Sequence, residues 1–487
     1  MNTTVSAAPR PAIARVNLSL TIGLAIGAAL GGLLFGYDTA VISGAIESID
    51  HQFIAPRTDL SEMARNSLSG SAVGIALWGC VLGSLIAGPL ATRLGRRTGM
   101  LIAAFLFLVS SVLSAYPEAG LGTIGGMGPA ALTPFMVYRF IGGVAIGMAS
   151  LISPMYIAEI APPRLRGLLV TFQQIAIVSG MLLVYFVNLK IAQFGGGNDN
   201  WVFEQGWRHM LASAAVPSVL FFLAALCMPD TPHWYALKGR DAEALAILER
   251  LGDEQDPQQA LAGIKASLHK REGALFSYGV PLIAIGVLLS VFQQFSGINA
   301  VLYYAPLMFK NVGSATDSAL LQTMIVGVAN VAFTMVALVC VDRWGRKPLL
   351  ILGGLIMAAS MATLGLLFHT RQEGTLMLIA AIFYIGGFAL SWGPVVWVLL
   401  SELFPTAIKG RAMAVAVSAC WIANWLVTWS FKVLDGDSGL NAEFNHGFTY
   451  YVYAGFSLAA ALFVWKWIPE TKGLSLEQIE RFWSKKQ

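Results

Sequence analysis

The most informative shortage in this 487-residue sequence is of charge. Asp, Glu, Lys and Arg together make up 12% of the chain, about half of the roughly 25% found in soluble globular proteins. The apolar set AVILMFWYC reaches 56%, above the roughly 45–50% that is usual. A soluble protein of this length would need more charged side chains to cover its surface. The composition therefore excludes that class and indicates an integral membrane protein.

Cysteine is scarce as well. The four thiols, at Cys80, Cys227, Cys340 and Cys420, lie in or at the ends of apolar runs and form no C-x-x-C pair. No His stands near them at metal-ligand spacing, so we expect no disulfide, no metal site and no cofactor. The sequence also lacks H-E-x-x-H, G-x-S-x-G and Walker motifs. These absences argue against a membrane-embedded enzyme.

What the sequence has in abundance is long apolar runs. A membrane β-barrel would show short segments that alternate apolar and polar residues. These runs are instead unbroken over about 20 residues, the length of a helix that crosses the hydrocarbon core. They predict an all-α membrane protein with twelve transmembrane helices, over residues 17–47, 69–90, 98–115, 134–158, 167–190, 208–228, 276–309, 319–341, 348–368, 375–401, 411–431 and 448–468.

One polar segment interrupts this pattern. Residues 229–275 are rich in charge, and the apolar residues of 241–251 recur at helical spacing, which indicates one or two short amphipathic helices. The segment leaves six spans on each side. We therefore predict an N-terminal six-helix bundle over 1–228, a cytoplasmic linker over 229–275, and a C-terminal six-helix bundle with a cytoplasmic tail over 276–487.

Short motifs recur at matching places in the two halves. Basic residues at 93–97 follow the second span, and basic residues at 343–347 follow the eighth. Glu159 and Glu402 end the fourth and tenth spans, and a Pro-acid-Thr triplet follows both the sixth and the twelfth. This repetition indicates a duplicated half. Two such halves related by an axis along the membrane normal place a binding site between them near the midplane.

The distribution of Lys and Arg predicts the orientation. If both termini are cytoplasmic, 23 of the 31 basic residues fall on the cytoplasmic side, seven on the other side and Arg139 within a span. Positive charge is retained in the cytoplasm. We expect a multi-pass protein of the plasma (inner) membrane that contacts lipid, binds no nucleic acid and functions as a monomer.

Taken together, these motifs resemble the sugar porter branch of the major facilitator superfamily over essentially the whole chain. The resemblance rests on Arg139 with Gly142-Gly143, on 229–234, on Gln293 to Asn299 and on 469–473. Segments 31–44 and 391–397 are similar to those of bacterial D-xylose–proton symporters. The resemblance implies two pseudo-symmetric six-helix bundles and a secondary active transporter that imports a monosaccharide with a proton by alternating access.

The sugar and its coupling stay open at this point. Overall likeness favours D-xylose, but Met181 and Cys420 stand where related transporters often have polar side chains. The alternatives are a proton symporter for glucose or another hexose, and a passive hexose or pentose facilitator.

Several amides lie within otherwise apolar spans, among them Gln173. An unpaired amide in lipid is costly, so these side chains should face the interior, either for bonds between helices or for sugar hydroxyls. The resemblance implies sugar contacts for Gln174, Gln293, Gln294, Asn299 and Asn330, with the aromatic residues Phe35, Tyr303, Trp397 and Trp421 and with Gly393 beside them. A straight helix does not place 293, 294 and 299 on one face, so Gly297 and Pro306 predict a distorted seventh span.

Asp38 and Arg139 are the charges inside the spans, and such residues are functional by default, although a purely structural pair is the alternative. We expect them to couple sugar transport to a proton. Charges at the cytoplasmic ends of the spans are candidates for ion pairs that hold the inner face shut, or else for simple positive-inside anchoring. The candidates are Arg93, Arg96, Arg97, Glu159, Arg166, Arg343, Arg346, Lys347 and Glu402.

Overall fold

In the computed structural model the described residues are 17–196, 199–252, 256–268, 274–311, 313–372, 374–405 and 408–472. Within these ranges twelve helices are long and apolar enough to cross a membrane, as the sequence predicts. They are Leu18–Gly44, Glu62–Leu94, Arg96–Ala115, Gly128–Ile160, Arg166–Phe194, Asp199–Cys227, Val280–Lys310, Thr316–Val341, Arg346–His369, Thr375–Leu403, Lys409–Asp435 and Phe448–Trp467. The predicted cytoplasmic tail after residue 472 lies outside the described residues.

Several spans begin or end away from the predicted boundaries. The second span begins at Glu62, seven residues before the apolar run, because Ser61 caps it by accepting a hydrogen bond from the Ala64 N–H at 3.3 Å. The seventh begins at Val280, after Gly279 with φ +86°, rather than at 276. Apolar runs mark the membrane-embedded part of a helix, whereas caps and glycines set its ends.

The packing of the spans repeats in the two halves. Span 1 packs on span 5, span 2 on span 4, and span 3 on spans 4 and 6. The same pattern relates span 7 to span 11, span 8 to span 10, and span 9 to spans 10 and 12. The fold is thus two pseudo-symmetric six-helix bundles. We call spans 1–6 the N-half and spans 7–12 the C-half.

The halves meet along two pairs of spans, 2 with 11 and 5 with 8. Glycine allows the close approach in each pair. A Cβ on Gly70 would lie 2.7 Å from the Trp429 carbonyl oxygen, and a Cβ on Gly327 would lie 2.8 Å from the Tyr185 ring. These contacts bring side chains from both halves around a common central space.

Three short helices follow the sixth span, Pro232–Leu237, Asp241–Leu251 and Pro257–Leu268. One or two were expected, so this prediction was too low. They pack through Ala236, Ala244, Leu248 and Leu261, and the Asn17 N–H donates to the Leu251 carbonyl at 2.8 Å. We call the end of the molecule that carries these helices the linker face, and the opposite end the far face.

Two spans of the C-half are interrupted, the seventh where the sequence predicts it. The seventh divides into Val280–Phe295 and Ile298–Lys310, with Gly297 between them at φ +90°. A side chain there would meet the Tyr453 ring, 2.6 Å from an added Cβ. The tenth span divides into Thr375–Gly387, a π-helical turn over Phe388–Trp392, and Gly393–Leu403. Both interruptions lie beside the central space.

Candidate functional site

A cavity of about 500 Å³ lies between the two halves. All ten residues proposed from the resemblance as sugar contacts line it, and Gln173 lines it with them. The ten are Phe35, Gln174, Gln293, Gln294, Asn299, Tyr303, Asn330, Gly393, Trp397 and Trp421. Only Phe35 and Gln174 come from the N-half. The C-half therefore supplies most of the polar wall.

The cavity reaches toward the linker face. Its lining includes Pro154, Thr171 and Leu338, which lie within two helical turns of the linker-face ends of spans 4, 5 and 8. Val398 and Met413 occupy the corresponding parts of spans 10 and 11. The lining thus runs from the middle of the bundle to the side that carries the short helices.

At the far face, ion pairs and hydrogen bonds join the halves above the cavity. Lys310 of the C-half lies 2.5 Å from Glu47 of the N-half, and Lys432 lies 2.6 Å from Asp50. Neutral bonds support them: Trp429 Nε1 donates to Ser67 Oγ at 3.0 Å, Asn66 Nδ2 to the Gly436 carbonyl at 2.7 Å, and Tyr185 OH to the Leu302 carbonyl at 2.8 Å. The structure is therefore closed at the far face.

The interrupted seventh span brings its amides together. Asn299 Nδ2 donates to Gln294 Oε1 at 2.6 Å across the break at Gly297. Gln293 Nε2 donates to the Trp392 carbonyl at 2.8 Å, in the π-helical turn of the tenth span. In a continuous α-helix, a backbone N–H one turn later would donate to that carbonyl. Both interruptions thus position the amides that line the cavity.

The other amides have weaker partners. Asn330 Nδ2 lies 4.0 Å from Met181 Sδ, across the two halves, and a thioether is a poor acceptor. Asn424 Nδ2 donates to Tyr303 OH at 3.5 Å. Asn424 lines the cavity but was missed in the sequence analysis. It is an amide in an apolar span three residues after Trp421, so the criterion that found the others would also have found it.

Buried donors and acceptors point into this region without a protein partner. Among the described residues, none bonds the Trp421 indole N–H or either atom of the Gln173 amide. Phe35 and Trp421 contact each other across the halves, with ring centroids 5.6 Å apart. Aromatic faces beside unpaired donors suit a ligand that has both an apolar face and hydroxyl groups.

Asp38 and Arg139 form an ion pair inside the N-half. Arg139 Nη1 lies 3.0 and 3.1 Å from the two carboxylate oxygens, and Nη2 donates to the Asp38 carbonyl at 3.2 Å. The two residues are 1% and 2% exposed. Arg139 Nε has no partner in the described part of the chain. The two charges are therefore buried and in direct contact with each other, and their role in proton coupling stays a prediction.

At the linker face, Glu159 pairs with Arg96. Arg96 Nη2 donates to Glu159 Oε1 at 2.7 Å, and Thr231 Oγ1 donates to Oε2. Asp230 Oδ1 accepts from the Arg96 N–H at 3.0 Å. Burial raises the pKa of the Asp230 carboxyl. We call Arg96, Glu159, Asp230 and Thr231 the N-half cluster.

The C-half repeats this arrangement. Arg346 Nη2 donates to Glu402 Oε1 at 2.8 Å, Thr471 Oγ1 donates to Glu402 Oε2 at 2.6 Å, and Glu470 Oε1 accepts from the Arg346 N–H at 3.0 Å. Burial of Glu470 alone would raise its pKa, but hydrogen bonds from four backbone N–H groups outweigh that effect and lower it. We call Arg346, Glu402, Glu470 and Thr471 the C-half cluster.

Other predicted gate residues lie elsewhere in this conformation. Arg97 donates to the carbonyls of Ala225 and Leu226 at the end of the sixth span. Arg93, Arg166 and Arg343 have exposed side chains. The charge count at the span ends did not distinguish Arg96 from its neighbours. Arg96 reaches Glu159 because it begins the third helix directly after Gly95, whose φ is +99°.

Comparison with known proteins agrees with this geometry. The model of the Sugar (and other) transporter family matches residues 24–483. The chain is 49% identical to the D-xylose-proton symporter of Escherichia coli K12, over 96% of both chains. It is 48% identical to the glucose facilitated diffusion protein of Zymomonas mobilis, over 95% of this chain and 98% of that protein.

Solved structures show the same fold. A partially occluded, inward-open structure of the E. coli xylose transporter matches with a TM-score of 0.85 and 46% identity, covering 94% of this chain and all of that one. The structure of the E. coli proton:xylose symporter bound to 6-bromo-6-deoxy-D-glucose matches with a TM-score of 0.81 and 48% identity, covering 96% of this chain and all of that one. The match to an inward-open transporter accords with a cavity that is closed at one end of the bundle.

Proposed function

Because this chain belongs to the Sugar (and other) transporter family, we propose that it imports a monosaccharide, D-xylose, together with a proton by alternating access. The E. coli relative at 49% identity is named a D-xylose-proton symporter, and the Bacillus subtilis relative at 35% identity is named an arabinose-proton symporter. Proton-coupled uptake of a pentose is therefore the activity that its relatives support best.

The observation that carries this proposal is the cavity between the halves. It combines amides with both donors and acceptors, two tryptophans and a tyrosine, and it is closed at the far face and reaches toward the linker face. A monosaccharide has an apolar ring face and a rim of hydroxyls that both donate and accept, so this lining matches its chemistry. We infer that Gln174, Gln293, Gln294, Asn299 and Asn330 bind the hydroxyls.

Proton coupling is assigned to Asp38. An uncharged sugar gains nothing from the membrane potential unless a charge moves with it, and one charge supplies about 2.3 kcal/mol per 100 mV. While Asp38 is ionised it holds Arg139 at 3.0 Å. Protonation would remove the charge that Arg139 pairs with and so change the packing of the first and fourth spans. That change links proton binding to the conformational cycle.

The linker face is assigned to the cytoplasm, with both termini on that side, because most of the Lys and Arg residues lie there. The N-half and C-half clusters would then position the cytoplasmic ends of the spans during the cycle. One chain encloses the whole cavity, so we propose that the monomer is the functional unit.

Passive glucose uptake is the second candidate. It is favoured by one observation, the 48% identity to a protein named for facilitated diffusion of glucose. The two candidates differ in whether a proton gradient drives accumulation.

Uptake into proteoliposomes tests the proposal. Purified protein should concentrate radiolabelled D-xylose when a proton gradient is imposed and should only equilibrate it without one. Asp38→Asn should keep xylose binding but lose accumulation, whereas the exposed-site control Asp59→Asn should behave as the native chain. Accumulation by Asp38→Asn would remove Asp38 from coupling. Equilibration of glucose alone, with or without the gradient, would favour the facilitator.

A further inference from the structure

The thiol of Cys420 lies between two of the amides that line the cavity. Its side chain is 3% exposed, in the eleventh span, directly before Trp421. Cys420 Sγ accepts a hydrogen bond from Gln294 Nε2 at 3.2 Å and donates to Gln293 Oε1 at 3.6 Å. Gln294 Nε2 also donates directly to Gln293 Oε1, at 3.5 Å, so the thiol provides a second link that bridges the two glutamines.

The other bonds of the glutamines agree with this direction, so the thiol completes the orientation of each amide together with them. Gln294 Oε1 is occupied by Asn299 Nδ2 at 2.6 Å, so its NH₂ group faces Cys420. Gln293 Nε2 is occupied by the Trp392 carbonyl at 2.8 Å, so its oxygen faces Cys420. A residue between them must accept on one side and donate on the other. A thiol does both, although each of its hydrogen bonds is weak.

The bonds form one directed chain, from Asn299 through Gln294, Cys420 and Gln293 to the carbonyl of Trp392. It connects the break in the seventh span, the eleventh span and the π-helical turn of the tenth. An amide presents a donor at one end and an acceptor at the other. Reversing either glutamine would therefore exchange the donor and the acceptor that it offers to a ligand.

We propose that Cys420 is a positioning residue, which holds the amides of Gln293 and Gln294 in the orientation that selects among sugar hydroxyls. This inference rests on the proposed function, since it concerns how a monosaccharide is recognised. Because sulfur bonds weakly, the amides are oriented while their remaining hydrogen-bonding capacity stays available to the ligand. Selectivity between sugars that differ at one hydroxyl then depends on this thiol.

Three variants separate bonding from packing. Cys420→Ser keeps a group that donates and accepts, whereas Cys420→Val has similar bulk and does neither. Cys420→Ala removes bulk as well, and it serves if the valine variant does not fold. Loss of the oriented bonds should weaken D-xylose binding by about three- to ten-fold, the range of one net hydrogen bond. The serine variant should stay within about two-fold of the native chain.

Calorimetric titration of the purified native chain and the three variants measures this. The ligands are D-xylose, D-glucose and an epimer of D-xylose at a single carbon. Cys80→Val is the control, since Cys80 is a fully buried thiol outside the cavity lining. The expected result is that valine and alanine lower affinity and narrow the preference for D-xylose over its epimer, whereas serine preserves both.

The possible failures are distinct. If the native chain binds no monosaccharide, the proposed function and this inference both fall. If the native chain binds D-xylose and the valine and alanine variants keep its affinity and epimer preference, the inference alone is wrong. A loss in Cys420→Ser as large as that in Cys420→Val would also overturn it, because packing rather than bonding would then be the cause.

Discussion

The two faces of the molecule use ion pairs in different ways. At the linker face, Arg96–Glu159 lies within the N-half and Arg346–Glu402 within the C-half. At the far face, Lys310–Glu47 and Lys432–Asp50 each join one half to the other.

The difference separates two roles of charge. Pairs within a half fix the ends of neighbouring helices, and they remain intact when the halves part. Pairs between halves hold one face closed, and they must break before that face opens. The sequence analysis left two interpretations of the linker-face charges open, ion pairs that hold that face shut and simple positive-inside anchoring. In this conformation the described pairs there lie within the halves, while pairs that join the halves lie at the far face.

Locking the far face should have the largest effect. A Cβ on Gly70 lies 3.2 Å from Lys432 Cβ, slightly less than the roughly 3.5–4.5 Å of a disulfide, and 2.7 Å from the Trp429 carbonyl oxygen. The double variant Gly70→Cys, Lys432→Cys should therefore cross-link once spans 2 and 11 shift apart enough to accommodate the new Cβ. Oxidation should abolish sugar transport, because the far face can no longer open, and reduction should restore it. Uptake into proteoliposomes measures this, with the oxidised native chain as control. Transport by protein whose cross-link is verified by mass spectrometry would contradict it.

Neutralising the linker-face acids should lower transport more than binding. The side chain of Glu159 is 13% exposed and that of Glu402 is 24% exposed. A charge-assisted hydrogen bond contributes about 1.5–3 kcal/mol, and we expect Glu402→Gln to slow uptake by about ten-fold. Glu159→Gln should slow uptake more than Glu402→Gln does, since Glu159 is more deeply buried and burial strengthens its ion pair with Arg96. Uptake and calorimetry are compared for both variants, and equal losses of transport and affinity would indicate a folding defect instead.

Removing one far-face pair should have a smaller effect. Lys432 and Asp50 form a single ion pair at 2.6 Å, whereas Arg346 bonds both carboxylate oxygens of Glu402, so we expect this pair to contribute about 1 kcal/mol, or roughly five-fold in the equilibrium between the two conformations. Lys432→Met should therefore speed hydrogen exchange in the far-face ends of spans 2 and 11. The control is Lys190→Met, because Lys190 bonds Gln193 of its own helix. Equal exchange in both variants would exclude a role for the pair in closure.

Lowering the pH should affect the two linker-face clusters differently, and we expect this difference to be the smallest of the four effects. Four backbone N–H groups keep the pKa of Glu470 below its ordinary value despite burial, so its stabilisation is present above the pKa of the unfolded chain and is lost as pH falls through the folded pKa. Burial raises the pKa of Asp230, so its protonation favours the folded state as pH falls. Hydrogen exchange measured across the acid range should increase at 346–350 before 96–100. The reverse order would refute this assignment.

Sequence patterns were sufficient for the twelve spans, because each span is a local property of about 20 consecutive residues. They were also sufficient for the interrupted seventh span, since Gly297 acts on its own backbone. Which charged residues pair with each other depends on distances between helices that are far apart in sequence, so the sequence did not identify the ion pairs. It considered Arg93, Arg96 and Arg97 together without identifying which of them pairs with Glu159, and it gave no role to Glu47 or Lys310.

The burial of Asp38 and Arg139 within one half has a mechanical consequence. The first and fourth spans pack directly on each other, so two rigid bodies that rotate about their interface would leave the 3.0 Å contact unchanged. Release of Arg139 therefore requires an internal flexure of the N-half. The first span narrows from α-helix to 3₁₀-helix over Ile42–Gly44, one turn past Asp38, and this is where such a flexure is easiest. If Asp38 carries the proton, as proposed, this flexure of the N-half and the rotation of the halves are two separate movements.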